Sequence, residues 1–254
     1  MSKVFVMRNK DKWTPGKFTF RNGELVASRN PKELGSASRL MANVIASFYG
    51  KNIPHHVSGR LIDLGCGKVP LFAAYSNYIS ENICVDWGET LHKNEYLDYE
   101  CDLTKELPFR DGEFNTVILS DVLEHLPQPE HIWKEMARIL AVGGKALISV
   151  PFYYWLHEVP HDYYRYTEYG LRRFAQLHNF KVVLLKPLGG TPEILADILA
   201  KHLQYVPLIG NILAIGVQNF TSAFVKTNVG KRLSERTSKL FPFGYFLVVE
   251  KIDG

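Results

Sequence analysis

Only three cysteines, Cys66, Cys84 and Cys101, occur in 254 residues. An odd number lying in apolar segments excludes a disulfide framework and reads as small buried hydrophobes in a reducing compartment. No histidine or cysteine spacing typical of a metal site is present, so no metal is expected. None of the Gly-Lys pairs is followed by Ser or Thr, which excludes the phosphate loop of nucleotide triphosphatases. Positive charge is thin as well. Thirty Lys and Arg against 26 Asp and Glu leave +4, too little and too spread out for a nucleic-acid surface. The start, MSKVFVMRNKDKW, lacks an apolar stretch of the secretory kind, and a cytoplasmic location is the expectation. From Leu203 to Val225 there is no Lys, Arg, Asp or Glu. Pro207, Gly210, Asn211, Gly216, Gln218 and Asn219 nevertheless interrupt that run too often for a membrane span. Internal repeats and low-complexity tracts are absent.

What remains is a globular pattern, 46% hydrophobic and 13% aromatic, long enough for one large domain or one domain with an insertion. Arg21-Asn22-Gly23 predicts a tight turn between two short strands. Leu34, Ala37, Leu40, Met41, Val44, Ile45 and Phe48 keep helical spacing, predicting a helix opened by Pro31 and running to about Gly50. Apolar strands and helices then alternate. RLIDLG, NICVDW, residues 95–101, FNTVILSD, KALISVPF and FKVVLLKP read as strands; residues 71–78, 129–140 and 167–177 read as helices, the second stopped by Gly143-Gly144. This alternation predicts a parallel sheet with helices on both faces, whose ligands gather at the carboxyl ends of the strands. A last strand, residues 245–251, stands beyond a separate insertion at 191–241.

IDLGCG, Ile62 to Gly67, ends a strand with an acid and two glycines, a turn whose backbone N–H groups can approach a ligand closely. A dinucleotide turn would need a third glycine, where Val69 stands. Read with VDW and with CDLTKELPFRDGEFNTVILSDVLEHLPQPEHIWKEMARILAVGGKALISVPF, the chain resembles the class I S-adenosylmethionine (SAM)-dependent methyltransferases from about Arg60 to Leu188. It is most similar to the branch carrying GCGKxP and HExPxDYYRYTxxGL, frequent in bacterial polysaccharide biosynthesis. The resemblance implies a doubly wound, seven-stranded, Rossmann-like α/β sheet with an antiparallel last strand and a helical insertion before it. It implies four parts: an N-terminal hairpin and helix capping the site (1–58), the SAM-binding core (59–190), the insertion (191–241) and the last strand (242–254). No Asn/Asp-Pro-Pro-Tyr/Phe follows the fourth strand, which disfavours an amino-methylating DNA enzyme.

Carried over by position, Asp63, Gly65, Cys66 and Gly67 would hold the amino acid end of SAM, Asp86 the ribose hydroxyls, and Trp87 the adenine face. Asp102 and Leu103 would meet the adenine edge, with Ser120 and Asp121 near the methionine portion. Pro70 at a first helical position would offset the missing glycine at Val69. A sulfonium is already a strong methyl donor, so the protein needs to align a nucleophile and, for a hydroxyl, remove a proton. His161, His125 and His157 are the candidate bases, each with a structural histidine as its alternative. Asp162 would orient a histidine or ligate substrate, and Arg165 would pair with Asp162 or grip an anionic group. Tyr153, Tyr154, Tyr163 and Tyr164 offer faces for a sugar or aromatic ring, or else pack a lid.

The expectation is O-methylation of a small or glycan-related acceptor. A SAM-binding scaffold without turnover and an RNA or protein methyltransferase are the alternatives. Apolar 205–225 beside Lys226, Lys231, Arg232, Arg236 and Lys239 has three readings: a pocket cap, a homodimer interface, or peripheral contact of 203–239 with the inner face of a membrane.

Overall fold

A computed structural model describes residues 9–88 and 95–253. In chain order it contains β1 (Phe18–Arg21), β2 (Glu24–Ala27), α1 (Arg39–His56), β3 (Gly59–Leu64), α2 (Phe72–Tyr75), β4 (Ile79–Asp86), β5 (Tyr99–Glu100), β6 (Phe114–Ser120) and α3 (Pro129–Ile139). Then come β7 (Leu140–Pro151), α4 (Glu168–Leu177), β8 (Phe180–Leu188), α5 (Thr191–Leu203), α6 (Gly210–Phe224), α7 (Asn228–Thr237) and β9 (Gly244–Lys251). Seven strands form one sheet in the order β5-β4-β3-β6-β7-β9-β8. β3, β4, β5, β6 and β7 pair in parallel, while β9 runs antiparallel to both β7 and β8. The strand order reverses between β3 and β6. In an open α/β sheet that reversal opens a crevice at the carboxyl ends, and there the candidate residues collect.

Neighbouring residues along the central strands feed opposite faces, as the two-residue strand period requires. Ile62, Val117 and Ile148 join Trp133 of α3 in one buried cluster, whereas Leu61, Ile118 and Leu147 join Tyr49 of α1 in the other. Trp133 is fully buried, stacked at 6.0 Å on Phe174 and edge-on to Phe180. Both faces of the central strands are therefore covered, which explains their nearly unbroken apolar sequence.

Several boundaries differ from the sequence reading, each for a visible reason. The helix expected from Pro31 begins at Arg39, after turns and a 3-10 segment at Ser36–Ser38, and it passes Gly50 to end at His56. Gly50 is not a stop. A Cβ there would sit 3.2 Å from Leu25 Cβ, so the glycine lets the helix lie close on β2. Gly143 and Gly144 likewise fall within β7, where a Cβ on Gly144 would meet the Ala141 carbonyl oxygen at 2.8 Å. Helix α2 is one turn that starts at Phe72, beyond Pro70; between β6 and α3 a 3-10 turn forms at Leu123–His125. The Asn22-Gly23 hairpin forms as read, both residues at positive φ, 52° and 80°.

Helices α5, α6 and α7 stand between β8 and β9. The buried Gln218 of α6 accepts from Leu40 N (2.6 Å) and donates to the Ala37 carbonyl (2.7 Å), which satisfies backbone at the start of α1. Among the described residues no helix is long and apolar enough to cross a membrane.

Candidate active site

The turn after β3 is built on close approach. Gly65 lies at φ 70° and Gly67 at φ 49°, and a Cβ on Gly65 would meet Val122 Cγ2 at 2.5 Å, so only glycine fits there. Gly65 N and Cys66 N donate to the Val85 carbonyl, tying the turn to β4. At the end of β4, Asp86 accepts from Gly67 N through Oδ2 and from Trp87 N through Oδ1, each at 2.9 Å. Val69 is fully buried at φ 51°, an unfavourable conformation for a β-branched residue. Its carbonyl accepts from the Trp13 indole at 3.2 Å, and Trp13 packs on Phe72. The turn is thus covered by the segment that precedes β1. Asp63 lies beneath it, 4% exposed, with the Tyr75 hydroxyl 3.2 Å away. Burial pushes its carboxyl up to about 7, against the opposing Tyr75 hydrogen bond and with help from the charge of Asp86.

Beyond β5, Asp102 caps its own turn: Oδ1 accepts from Thr104 N and Oγ1, and Lys105 Nζ lies 3.3 Å from Oδ2. Those Thr104 bonds, first, hold the Asp102 carboxyl below its usual range. The side chain of Leu103 is buried in the cluster around Trp133. After β6, Ser120 Oγ meets Ser149 Oγ at 3.2 Å, and Ser149 donates to Asp121 Oδ1 at 2.8 Å. Asp121, at φ 54°, also takes Lys17 Nζ on Oδ2 at 3.0 Å. Burial alone would raise the Asp121 carboxyl, but the Lys17 ammonium and the Ser149 hydroxyl outweigh it and hold it low.

The aromatic loop after β7 folds back over the 3-10 turn. Tyr163 N and Tyr164 N both donate to the Glu124 carbonyl, and the Tyr166 hydroxyl donates to that of Leu123. His161 sets its ring edge-on to Trp87 at 5.2 Å, with Nδ1 3.1 Å from the Tyr163 hydroxyl. His125 and His157 pack edge to face at 4.7 Å. Arg165 grips Asp162 with both terminal nitrogens, holding that carboxyl down to about 2 despite burial. Of the two roles open to Arg165, the ion pair is the one occupied. The tyrosines divide. Tyr154 packs on His157 and Phe243 and receives Lys201 Nζ 3.7 Å from its ring centre, while the Tyr164 hydroxyl donates to the Pro127 carbonyl. Phe152, Tyr153, Tyr154 and Trp155, with Asp197 and Lys201 of α5, line a cavity of about 300 Å³.

A family profile described as a methyltransferase domain matches residues 62–148. Over those residues the chain is similar to a methyltransferase domain. A ubiquinone biosynthesis O-methyltransferase of Idiomarina loihiensis is 29% identical over 111 residues, 38% of this chain and 46% of that protein. The 27-O-demethylrifamycin SV methyltransferase of Amycolatopsis mediterranei is 21% identical over 47% of this chain and 58% of its own length. Matches to the first of these curated relatives thus span less than half their length. Among solved structures, a SAM-dependent methyltransferase from Archaeoglobus fulgidus shares the fold with a TM-score of 0.53 at 15% identity, covering 87% of this chain and 97% of that one. The (4+2)-cyclase SpnF shares it with a TM-score of 0.55 at 13% identity, covering 94% of this chain and 87% of its own.

SAM is the cofactor of a methyltransferase domain of this kind, and the residues present fit it. The turn after β3 lies at the switch point, where Gly65 leaves no room for a side chain, and Asp86 at the end of the neighbouring β4 offers the two-oxygen acceptor a ribose diol needs. Two members of the site escaped the sequence reading. Lys17 reaches Asp121 from 104 positions away, and nothing local announces it. Glu124 had a signal, an acid inside the apolar DVLEHL. It is fully buried, and among the described residues neither carboxylate oxygen has a hydrogen-bond partner.

Proposed function

We propose that this protein is an O-methyltransferase that moves the methyl group of SAM onto a hydroxyl of a small or glycan-related acceptor. One observation carries this reading. The loop after β7 brings His161 against Trp87, the neighbour of Asp86, which supports an imidazole between the proposed cofactor and acceptor sides. Bound SAM supplies the electrophilic methyl group. Asp86 and the glycine turn fix its position, Trp87 offers a flat face, and His161 accepts the hydroxyl proton. The aromatic wall from Phe152 to Trp155 supports an acceptor with a ring, because flat amphipathic faces suit sugars and aromatics alike. That the Idiomarina relative is named an O-methyltransferase and the Amycolatopsis one acts on a 27-O-demethyl compound supports oxygen over nitrogen.

Titration calorimetry with SAM and with its demethylated product tests the first step, and no binding of either at millimolar ligand removes the reading. For the second, methyl transfer to a panel of phenolic and glycan hydroxyls is compared with that of His161→Ala. A drop of about 100-fold in kcat with unchanged SAM affinity is expected. An unaltered rate would reject His161 as the base.

Residues 203–239 are proposed to rest on an anionic membrane surface. Leu208, Tyr205, Phe220 and Ile212 are at least 70% exposed, and the basic residues of 226–239 follow directly. Co-sedimentation with vesicles rich in phosphatidylglycerol should fall when Leu208 and Phe220 are changed to Ser. A concentration-dependent dimer in light scattering, with no vesicle binding, would assign the same surface to a second copy.

A further inference from the structure

The geometry points to a divalent metal site formed by Glu124, His125 and His157, of the two-imidazole, one-carboxylate type that suits zinc. This goes beyond the transfer reaction, and it reverses the sequence-level expectation of no metal. Each residue offers one ligand atom, and the three atoms lie within 4.8 Å of one another. The Nε2 atoms of His125 and His157 are each 3.6 Å from the same Glu124 oxygen, Oε1. That is too long for a good hydrogen bond, yet close to the ligand–ligand edge of about 3.4 Å that bonds of roughly 2.1 Å give around a tetrahedral ion.

Both rings are already turned for the task. His125 Nδ1 is 2.6 Å from the His161 carbonyl oxygen, which can only accept, so Nδ1 carries a hydrogen and the neutral ring has its lone pair on Nε2. His157 Nδ1 lies 3.3 Å from Asp162 Oδ2, close to but not in a hydrogen bond, and Arg165 keeps that carboxylate ionised. A carboxylate or carbonyl behind each ligating imidazole is how protein metal sites fix ring orientation.

The charges complete the case. Asp121 is neutralised by Lys17, and Asp162 by Arg165, at 3.0 Å and 2.8 Å. Glu124 is left over, fully buried, with neither oxygen hydrogen-bonded among the described residues. A buried carboxylate that faces two imidazoles without a hydrogen bond is costly, and a dication held between it and the neutral rings removes that cost. Among the described residues the other acid near His125 Nε2 is Glu158, whose Oε2 is 3.9 Å away and whose side chain is 43% exposed. Three protein ligands leave a fourth position open, and an acceptor hydroxyl bound there would lose its proton more readily. This last step rests on the proposed transfer reaction; the ion site does not.

The test uses the whole chain, untagged and stripped with chelator, titrated with Co²⁺ followed by visible absorption and with Zn²⁺ followed by calorimetry. One equivalent should bind, with d–d bands of tetrahedral cobalt and no thiolate charge-transfer band. Glu124→Gln, close in shape, and His157→Ala should each weaken binding at least 100-fold, with circular dichroism and SAM affinity as checks that the variants fold. Affinity unchanged in Glu124→Gln, no binding in the wild type, or a thiolate band placing the ion on the cysteines would each overturn the site. If the ion binds as described but chelation leaves methyl transfer untouched, the site stands and its role in activating the acceptor falls. If the loaded protein transfers no methyl group to any hydroxyl, the function proposed above fails and the ion site remains.

Discussion

The two walls of the crevice satisfy their polar groups in opposite ways. On the cofactor side, Asp86 is held by backbone N–H groups of the glycine turn and of its own neighbour, and Asp102 by Thr104 two residues on. On the acceptor side, Asp162 and Arg165 hold each other through side chains, and Glu124 faces His157 with no hydrogen bond among the described residues. Backbone-built sites are stiff and nearly independent of what surrounds them. Sites built from side chains keep unspent interactions, available to an ion or a substrate, at some cost in stability.

The sharpest way to break the cofactor wall is Gly65→Ala. The new Cβ would meet Val122 at 2.5 Å in a backbone at φ 70°, so neither the turn nor the side chain can yield cheaply. SAM affinity should fall by 100-fold or more in calorimetry, with stability lowered by about 3 kcal/mol. Binding within threefold of wild type would show that the turn is not the cofactor's seat.

Asp63 tests the same wall from below, through pH. An unfolded aspartate titrates near 4, whereas burial holds the folded one near 7. Between those values the folded state retains a proton the unfolded state has released. Stability therefore falls as pH rises from about 4 to 7 and stays lower above that. Asp63→Asn removes the effect. It should raise the melting temperature at pH 8, by a gain on the order of 3 kcal/mol, and leave it unchanged near pH 4. A variant less stable than wild type at pH 8 would contradict the buried-carboxyl account.

On the acceptor wall, Arg165→Ala strands Asp162, whose side chain is 3% exposed. Because Arg165 itself is 23% exposed, the loss should be about 2 kcal/mol rather than the larger value of a fully buried pair. Denaturant unfolding measures it, and Arg165→Lys should recover only part, since one ammonium cannot span both carboxylate oxygens. Full recovery by Lys would mean that charge, not the fork geometry, holds the loop.

The same contrast governs what could be read from the sequence. β3, β4, β6 and β7 and the turn after β3 are legible because short apolar runs and glycine act over a few positions. Gly50 and Gly144 misled, because a glycine kept for close approach to another element looks the same as one that ends a helix. Residues 95–101 yield only two strand residues, Tyr99 and Glu100, at the sheet edge. The aromatic loop was placed correctly after the fifth core strand, yet its partners were invisible. Glu124 and His157 are 33 residues apart, and only the fold of the loop over the 3-10 turn makes them neighbours.

Trp87 joins the two walls, and its removal is the smallest of the expected effects. It belongs to the end of β4 by sequence and touches His161 of the loop in space. An edge-to-face pair contributes about 1 kcal/mol, so Trp87→Ala should weaken SAM binding and reduce kcat each by several-fold, with little change in melting temperature. Trp87→Phe, which keeps a ring, should restore both. If the walls were independent, Trp87→Ala would lower SAM affinity alone and leave the transfer rate at saturating SAM untouched. A loss confined to affinity would therefore detach His161 from the cofactor side, and with it the observation on which its assignment as the base depends.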